Sequence, residues 1–212
     1  MHLRDSKGRE TLIEGIRFVS RNNVHRMGIK LHVTPLNYSG IIEVESIIDG
    51  SIINFYDAPR FKVKHTYMTA NEKLATDGCY IEVATRENHL HVGCGCRIEA
   101  YADGKAILGN RMTSKFGEQC VEFGDIHVEE GKEVEIVKYV SMYTERECPA
   151  YALHTSIEKE IEQFIETGFE QELKLHEAVY AKMWENADLK ITGDAELNQA
   201  LSLIHISEPT RH

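Results

Sequence analysis

The 212-residue chain has no apolar run approaching the ~20 residues that span a bilayer, and its opening Met1-His2-Leu3-Arg4-Asp5-Ser6 lacks the apolar centre of a secretory leader. These absences predict a cytoplasmic protein with no membrane partner. Positive charge is scarce as well: 24 Lys and Arg face 34 Asp and Glu, a formal net charge of -10. Such a chain opposes a phosphate backbone and forgoes the counterion release that drives nucleic-acid binding, so nucleic acid is not expected as a partner. The five cysteines are odd in number and sit in a chain long enough to bury a core, which implies reduced thiols rather than a disulfide framework. Neither G-x-x-x-x-G-K-[ST] nor G-x-G-x-x-G occurs, and no local signature of a Ser/His/Asp grouping is present.

What is present falls into two compositional regimes, within a length that suits one to two domains. From Arg9 to about Tyr143 the pattern has period two. Ile42, Val44, Ser46 and Ile48 alternate with Glu43, Glu45 and Ile47; Lys62, Lys64 and Thr66 alternate with Val63, His65 and Tyr67; Val134, Ile136 and Lys138 alternate with Glu133, Glu135 and Val137. Turn signals fall between the strands so predicted, at Asn37-Tyr38-Ser39-Gly40, Asp49-Gly50, Thr76-Asp77-Gly78, Asp103-Gly104 and Glu130-Gly131. Their spacing leaves no room for crossover helices and suits an antiparallel sandwich of roughly nine or ten strands. Asp103-Gly104 is the clearest hairpin.

After Cys148-Pro149 the period becomes helical. Ile157, Ile161, Phe164 and Ile165 form one stripe, with Thr155 as N-cap, Glu158 completing a capping box and Gly168 as the stop. In a second helix Phe169, Leu173, His176, Tyr180, Met183 and Trp184 form the stripe. Glu158, Glu160, Glu162, Glu166, Glu170, Glu172, Glu177, Glu185 and Asp188 outnumber Lys159, Lys174 and Lys182 and read as a solvated acidic face. A third helix opens at Asp194 and breaks at Ser202-Leu203-Ile204-His205-Ile206, before Pro209. The run Leu201 to Arg211 resembles the translation of a sequencing adapter, which makes 202–212 a scar and the whole a fragment.

The densest set of candidate metal ligands is His89, His91, Cys94 and Cys96, which on paper offers two imidazoles and two thiolates to zinc. In a continuous strand His89 and His91 share one face while Cys94 and Cys96 point to the other, so convergence needs a bulge at Gly93 or Gly95. The plainer reading has the cysteines packed in the core and the histidines at the surface. Glu43 and Glu45 read as the wet face of a strand, and His176 and Trp184 as part of an apolar stripe. Spacing alone shows no catalytic centre.

Arg17-Phe18-Val19-Ser20, Val33-Thr34-Pro35-Leu36-Asn37-Tyr38-Ser39-Gly40 and Ile47-Ile48-Asp49-Gly50-Ser51-Ile52-Ile53-Asn54 are similar to the amino-terminal domain of glycoside hydrolase family sixty-five, which includes maltose, trehalose, kojibiose and nigerose phosphorylases. Trp184, then Ala187-Asp188-Leu189-Lys190-Ile191-Thr192-Gly193-Asp194 and Gln199-Ala200-Leu201, resembles the entry of that family's helical linker into its catalytic barrel. The resemblance spans Arg9 to Leu201. It implies a mainly β chain: an antiparallel β-super-sandwich over 1–148 lacking its first strands, a helical linker over 149–187, and over 188–201 the first residues of a missing (α/α)6 barrel.

It also implies an inverting disaccharide phosphorylase, in which inorganic phosphate attacks an α-glucosidic disaccharide to give β-glucose 1-phosphate and glucose. The acid and the phosphate-binding loop belong to the barrel, so no catalytic, cofactor-binding or metal residue is carried over. The fragment is expected to be inactive, its parent to be a homodimer, and inorganic phosphate to serve as co-substrate with no cofactor. Ile157, Ile161, Phe164, Tyr180 and Trp184 are expected to leave it sticky without the barrel. The alternative from another class is a stand-alone carbohydrate-binding or scaffold module.

Overall fold

The structure is a computed structural model that describes residues 1–55 and 62–187. Thirteen strands come first: β1 (His2–Arg4), β2 (Glu10–Val19), β3 (Arg26–Pro35), β4 (Gly40–Asp49), β5 (Asn54–Phe55), β6 (Lys62–Val63), β7 (Thr66–Lys73), β8 (Cys79–Thr85), β9 (His91–Ala102), β10 (Lys105–Ala106), β11 (Gly109–Phe116), β12 (Gln119–Val128) and β13 (Val134–Thr144). Two helices follow, α1 (Leu153–Thr167) and α2 (Phe169–Ala187). All strand pairings are antiparallel.

A large sheet runs β1-β2-β3-β13-β9-β8-β7, with β10 folded back on β9, and a small one runs β11-β12-β4. Period-two alternation gives each long strand two distinct faces, and both sheets turn their apolar faces inward. Val33, Ala100, Val134 and Ile136 of the large sheet pack there against Ile126 and Val128 of the small one. The β9–β10 turn is the hairpin expected at Asp103-Gly104, where both residues have positive φ (49° and 73°), the conformation a two-residue turn of this twist requires. The strand predicted across Lys62 to Tyr67 is broken: β6 ends at Val63, β7 starts at Thr66, and Lys64 between them pairs with Glu118.

The other face of the large sheet carries the helices. Leu153, Ile157, Ile161 and Phe164, one stripe of α1, are all but fully buried. Their seat is made by glycine: a Cβ at Gly95 would lie 2.5 Å from Ile157 Cγ2, and one at Gly93 2.8 Å from Ile157 Cδ1. The stripe is therefore covered within this chain, and the expectation that Ile157, Ile161 and Phe164 await a barrel is corrected. The exposed apolar remainder on α2 is Leu175, Tyr180 and Met183, with Trp184 half-buried.

The capping expectation is corrected too. A 3-10 turn over Ala150–Ala152 leads into α1 with Ala152 as N-cap and no side-chain cap, because the first anchor, Leu153, already needs the sheet. Glu158 accepts instead from the Thr76 backbone N–H (2.9 Å) and hydroxyl (3.2 Å) in the β7–β8 turn. Gly168 ends α1 as expected, at φ 82°. The segments 188–201 and 202–212 lie outside the described residues.

Candidate functional site

Three places concentrate polar chemistry, and the first is the junction of helices and sheet. Arg26 on β3 is buried, and its Nε donates to Glu160 Oε1 of α1 at 2.7 Å while Nη1 donates to Glu172 Oε2 of α2 at 2.8 Å. Glu160 also accepts from Asn23 Nδ2 (2.8 Å) and the Tyr143 hydroxyl (2.9 Å). Glu172 accepts from the Ser20 hydroxyl (2.5 Å) and Asn22 Nδ2 (3.2 Å). Burial pushes the Glu160 carboxyl up, but the hydrogen bonds from Arg26 and Tyr143 and the guanidinium charge outweigh it and hold it below its ordinary value. The reading of Glu160 and Glu172 as part of a solvated face is thus overturned: both are buried and ion-paired. Every acceptor here is engaged by the protein, so the cluster fixes the helices and has no group left for a substrate.

The second place lies between the sheets. Cys79 and Cys96 are direct partners across β8 and β9, and both are fully buried with Cys120 of β12. Hydrogen bonding with Cys120 and Cys96, then burial, pushes the Cys79 thiol far up, and burial pushes Cys94 to about 12, so Cys79 and Cys94 stay protonated, whereas hydrogen bonding with Cys79 pulls Cys96 down to about 7 and lowers Cys120. Beside them Glu122 has no exposed surface. Burial and the neighbouring Cys96 push its carboxyl up to about 7, against the Ile98 N–H (2.9 Å) and Arg111, which pull it down. Arg111 Nη1 stands 3.3 Å from Glu122 Oε1 without hydrogen-bond alignment, and both atoms lack a hydrogen-bond partner among the described residues. A carboxyl near 7 is what a general acid needs, yet one sealed in a core cannot reach a substrate.

The zinc set does not assemble. β8 and β9 pair without a slip from Ala84 opposite His91 to Cys79 opposite Cys96, so neither Gly93 nor Gly95 resets the register. His89 sits in the preceding turn against the Tyr67 hydroxyl (3.1 Å), and His91 Nδ1 contacts Glu82 Oε1 (2.6 Å) on the helix-side face. Cys94 and Cys96 point the other way, as parity requires. A different trio, His32, Glu133 and Glu135, brings its ligand atoms within 4.8 Å of one another. Lys30 Nζ is already 3.3 Å from Glu135 there and competes for the same oxygens. Glu43 and Glu45 are exposed, as expected. His176 is half-buried, its ring against Phe18 and its Nδ1 accepting from the Arg21 N–H (3.0 Å).

The third place is a cleft of about 740 Å³ between β2–β3 and the edge of β4, with Ile13, Leu31, Val33, Ile42 and Val44 as its apolar walls. Four of its polar groups pair among themselves, Arg9 Nε donating to Asp5 Oδ2 (2.7 Å) and the Tyr38 and Thr11 hydroxyls standing 2.9 Å apart, while Glu43, Glu45 and Asp125 also line it. Sequence reasoning missed the Arg26 and Glu122 clusters. For Glu122 a signal existed, since it shares parity with Cys120, Ile126 and Val128 on β12.

Comparison with known proteins places this architecture. Residues 1–183 match the model of "Glycosyl hydrolase family 65, N-terminal domain". The chain is 38% identical over 205 residues to a kojibiose phosphorylase of Thermoanaerobacter brockii, covering 95% of this chain and 26% of that protein. It is 27% identical to an alpha,alpha-trehalose phosphorylase of the same organism, over 87% of this chain and 24% of that one. Among solved structures, a putative kojibiose phosphorylase from human microbiome superposes with a TM-score of 0.65 at 13% identity, covering 86% of this chain and 22% of its own. A sandwich with two helices on its outer face, matched over this range, defines the class: the N-terminal β domain of a glycosyl hydrolase family. The chain belongs to glycosyl hydrolase family 65, and it spans about a quarter of the length of the relatives it matches. No helix among the described residues is long and apolar enough to cross a membrane.

Proposed function

We propose that this chain is the amino-terminal sandwich and helical linker of an inverting disaccharide phosphorylase, with kojibiose as the first substrate to test. One observation carries the reading: the family match over 1–183 coincides with a sandwich whose outer face is already locked to two helices through Arg26. In such an enzyme phosphate attacks the anomeric carbon while a carboxylic acid protonates the leaving oxygen, general-acid catalysis with phosphate in the place that water takes in an inverting hydrolase. Three buried acids do not suit that role. Glu160 and Glu172 are committed to Arg26, and Glu122 is sealed in the core.

The division that follows is a sandwich over 1–148, a linker over 149–187, the start of a catalytic barrel over 188–201 and an adapter-derived scar over 202–212. The parent is cytoplasmic and homodimeric in this reading. The test is a matched pair of assays for phosphate-dependent glucose 1-phosphate release from kojibiose, trehalose, nigerose and maltose. The gene product read through past Ala200 should turn over one of them, and the present chain none. Turnover by the present chain, or none by the longer product, overturns the proposal.

A further inference from the structure

Acids outnumber bases 34 to 24 in this chain, yet two arginines that line one cleft have no carboxylate within ion-pairing distance among the described residues. The cleft, of about 370 Å³, lies at the end of the large sheet where the β8–β9 turn meets the start of β7 and the chain leaving β13. Arg86 lines it from the turn, Arg146 from beyond β13 and His65 from the β6–β7 connection. Backbone hydrogen bonds fix these segments. The Arg86 N–H donates to the His65 carbonyl (2.8 Å), the Leu90 N–H to the Thr85 hydroxyl (2.9 Å) and the Glu145 N–H to the His91 carbonyl (2.9 Å). The His65 ring and the Asn88 carboxamide also line the cleft and have no hydrogen-bond partner among the described residues. The acids that flank Arg146 in sequence turn to the backbone instead: Glu145 accepts from the His91 N–H (3.2 Å) and Glu147 from the Thr144 N–H (2.7 Å). Only Glu87 among the lining residues brings negative charge. Two guanidinium groups at one cleft repel each other, and an anion bound by both turns that repulsion into attraction.

We propose that this cleft binds a phosphate dianion, free or carried as a monoester on a small polyol. A carboxylate has two oxygens and one charge, which a single guanidinium satisfies. A phosphate monoester has three terminal oxygens and about two charges, enough for both guanidinium groups and a ring N–H of His65. The Asn88 carboxamide and the Glu87 carboxylate are left for hydroxyl groups of an ester, beside the apolar wall that Leu90 supplies. The inference goes beyond the phosphorylase reading and does not rest on it, since the present chain, expected to be inactive, is the protein tested.

The experiment is an NMR titration of the intact 212-residue chain at constant ionic strength with inorganic phosphate, glucose 1-phosphate, glucose and sodium chloride. The two phosphates should give saturable shifts at the amides of Arg86, Asn88, Leu90 and Arg146, and glucose and chloride should not. Arg86→Gln and Arg146→Gln should each weaken binding about tenfold, the worth of a hydrogen bond between charged groups. Glu87→Gln should strengthen it about threefold by removing a like charge at the surface. Unchanged amide shifts at Ile126 and Val128 on β12 report that each variant keeps its fold. Tighter binding of glucose 1-phosphate assigns the site to the ester, and tighter binding of inorganic phosphate to the free ion; both bear the proposal out. It is overturned if neither phosphate gives saturable shifts, if chloride reproduces them, or if the arginine variants bind as well as the parent chain. Loss of binding in the read-through product also overturns it, since a carboxylate from the rest of the polypeptide then holds the two arginines. Phosphorolysis by that product is read separately, so either proposal can fail alone.

Discussion

Two buried arginine–carboxylate clusters lie on opposite faces of the same large sheet. At the helix junction Arg26 meets Glu160 and Glu172 at 2.7 and 2.8 Å, and Ser20, Asn22, Asn23 and Tyr143 take up the remaining lone pairs. Where β9 runs past the end of β8, Arg111 binds Glu99 well at 2.9 Å, but between the sheets it meets Glu122 only at 3.3 Å, leaving Nη1 and Oε1 without hydrogen-bond partners. Low dielectric strengthens a complete network and penalises an incomplete one, so similar burial has opposite consequences. The first carboxylate site, Glu160, is held ionised; the second, Glu122, is driven toward its neutral form.

The sharpest break of this comparison is Arg26→Ala, which strands two buried carboxylates. It should cost ~3–5 kcal/mol, with loss of protection along α1, read as a fall in the urea midpoint. Arg111→Ala should cost clearly less, since Glu122 can become neutral and Glu99 keeps its pairing with Arg97 at 2.7 Å. Equal losses would show that the two clusters do not differ in the way described.

The pH dependence separates the clusters next. Glu122 has its folded-state pKa raised from 4.5 to about 7, so its contribution to stability is complete below pH 4.5 and is lost progressively until the pH passes about 7. Glu122→Gln should therefore flatten the stability profile across that window and recover up to ~3 kcal/mol at pH 8. Glu160 has the opposite sign. Its folded pKa is lowered, so its contribution is present above pH 4.5 and lost as the pH falls through the folded value. A Glu122→Gln profile that keeps its slope between pH 4.5 and 7 would remove Glu122 as the cause.

A smaller effect tests the surface on which the Arg26 cluster stands. Gly95→Ala places a methyl 2.5 Å from Ile157 Cγ2 and 3.2 Å from Ile161 Cδ1, so α1 must shift off the sheet at a cost of ~1–3 kcal/mol. Thermal unfolding should show it, together with faster exchange of the α1 amides but not of those in β12. Uniform loosening of both would place the glycine's role elsewhere.

How much of this could be read beforehand depends on the range of the interaction. Alternation along Ile42 to Ile48, the Asp103-Gly104 hairpin and the stripe Ile157, Ile161, Phe164 are short-range patterns, and the structure keeps all three. Parity alone separated His91 from Cys94 and Cys96. Glu160 and Glu172 were misread because a carboxylate at the border of a helical stripe is indistinguishable from a solvated one until its partner is known, and Arg26 lies 134 and 146 residues away. The Cys79–Cys96–Cys120 contact and the Arg111–Glu122 mismatch likewise depend on β8, β9 and β12 coming together. No candidate catalytic site could be read from the residues.

The gentlest probe asks whether the Arg26 cluster is a network or a lone ion pair. The Ser20 hydroxyl donates to Glu172 and accepts from the backbone N–H groups of Asn22 and Asn23 at 3.1 and 3.0 Å, so it ties the β2–β3 loop to α2. Ser20→Ala should cost ~1 kcal/mol in an otherwise intact protein, the usual worth of one hydrogen bond. In the Arg26→Ala background the same change should have a different effect, because Glu172 then depends on Ser20 and Asn22 alone. A double-mutant cycle measures that coupling directly, and a value above about 0.5 kcal/mol marks a network. Strict additivity would mean that the serine serves only the loop, and that Arg26 with its two glutamates joins helices to sheet unaided.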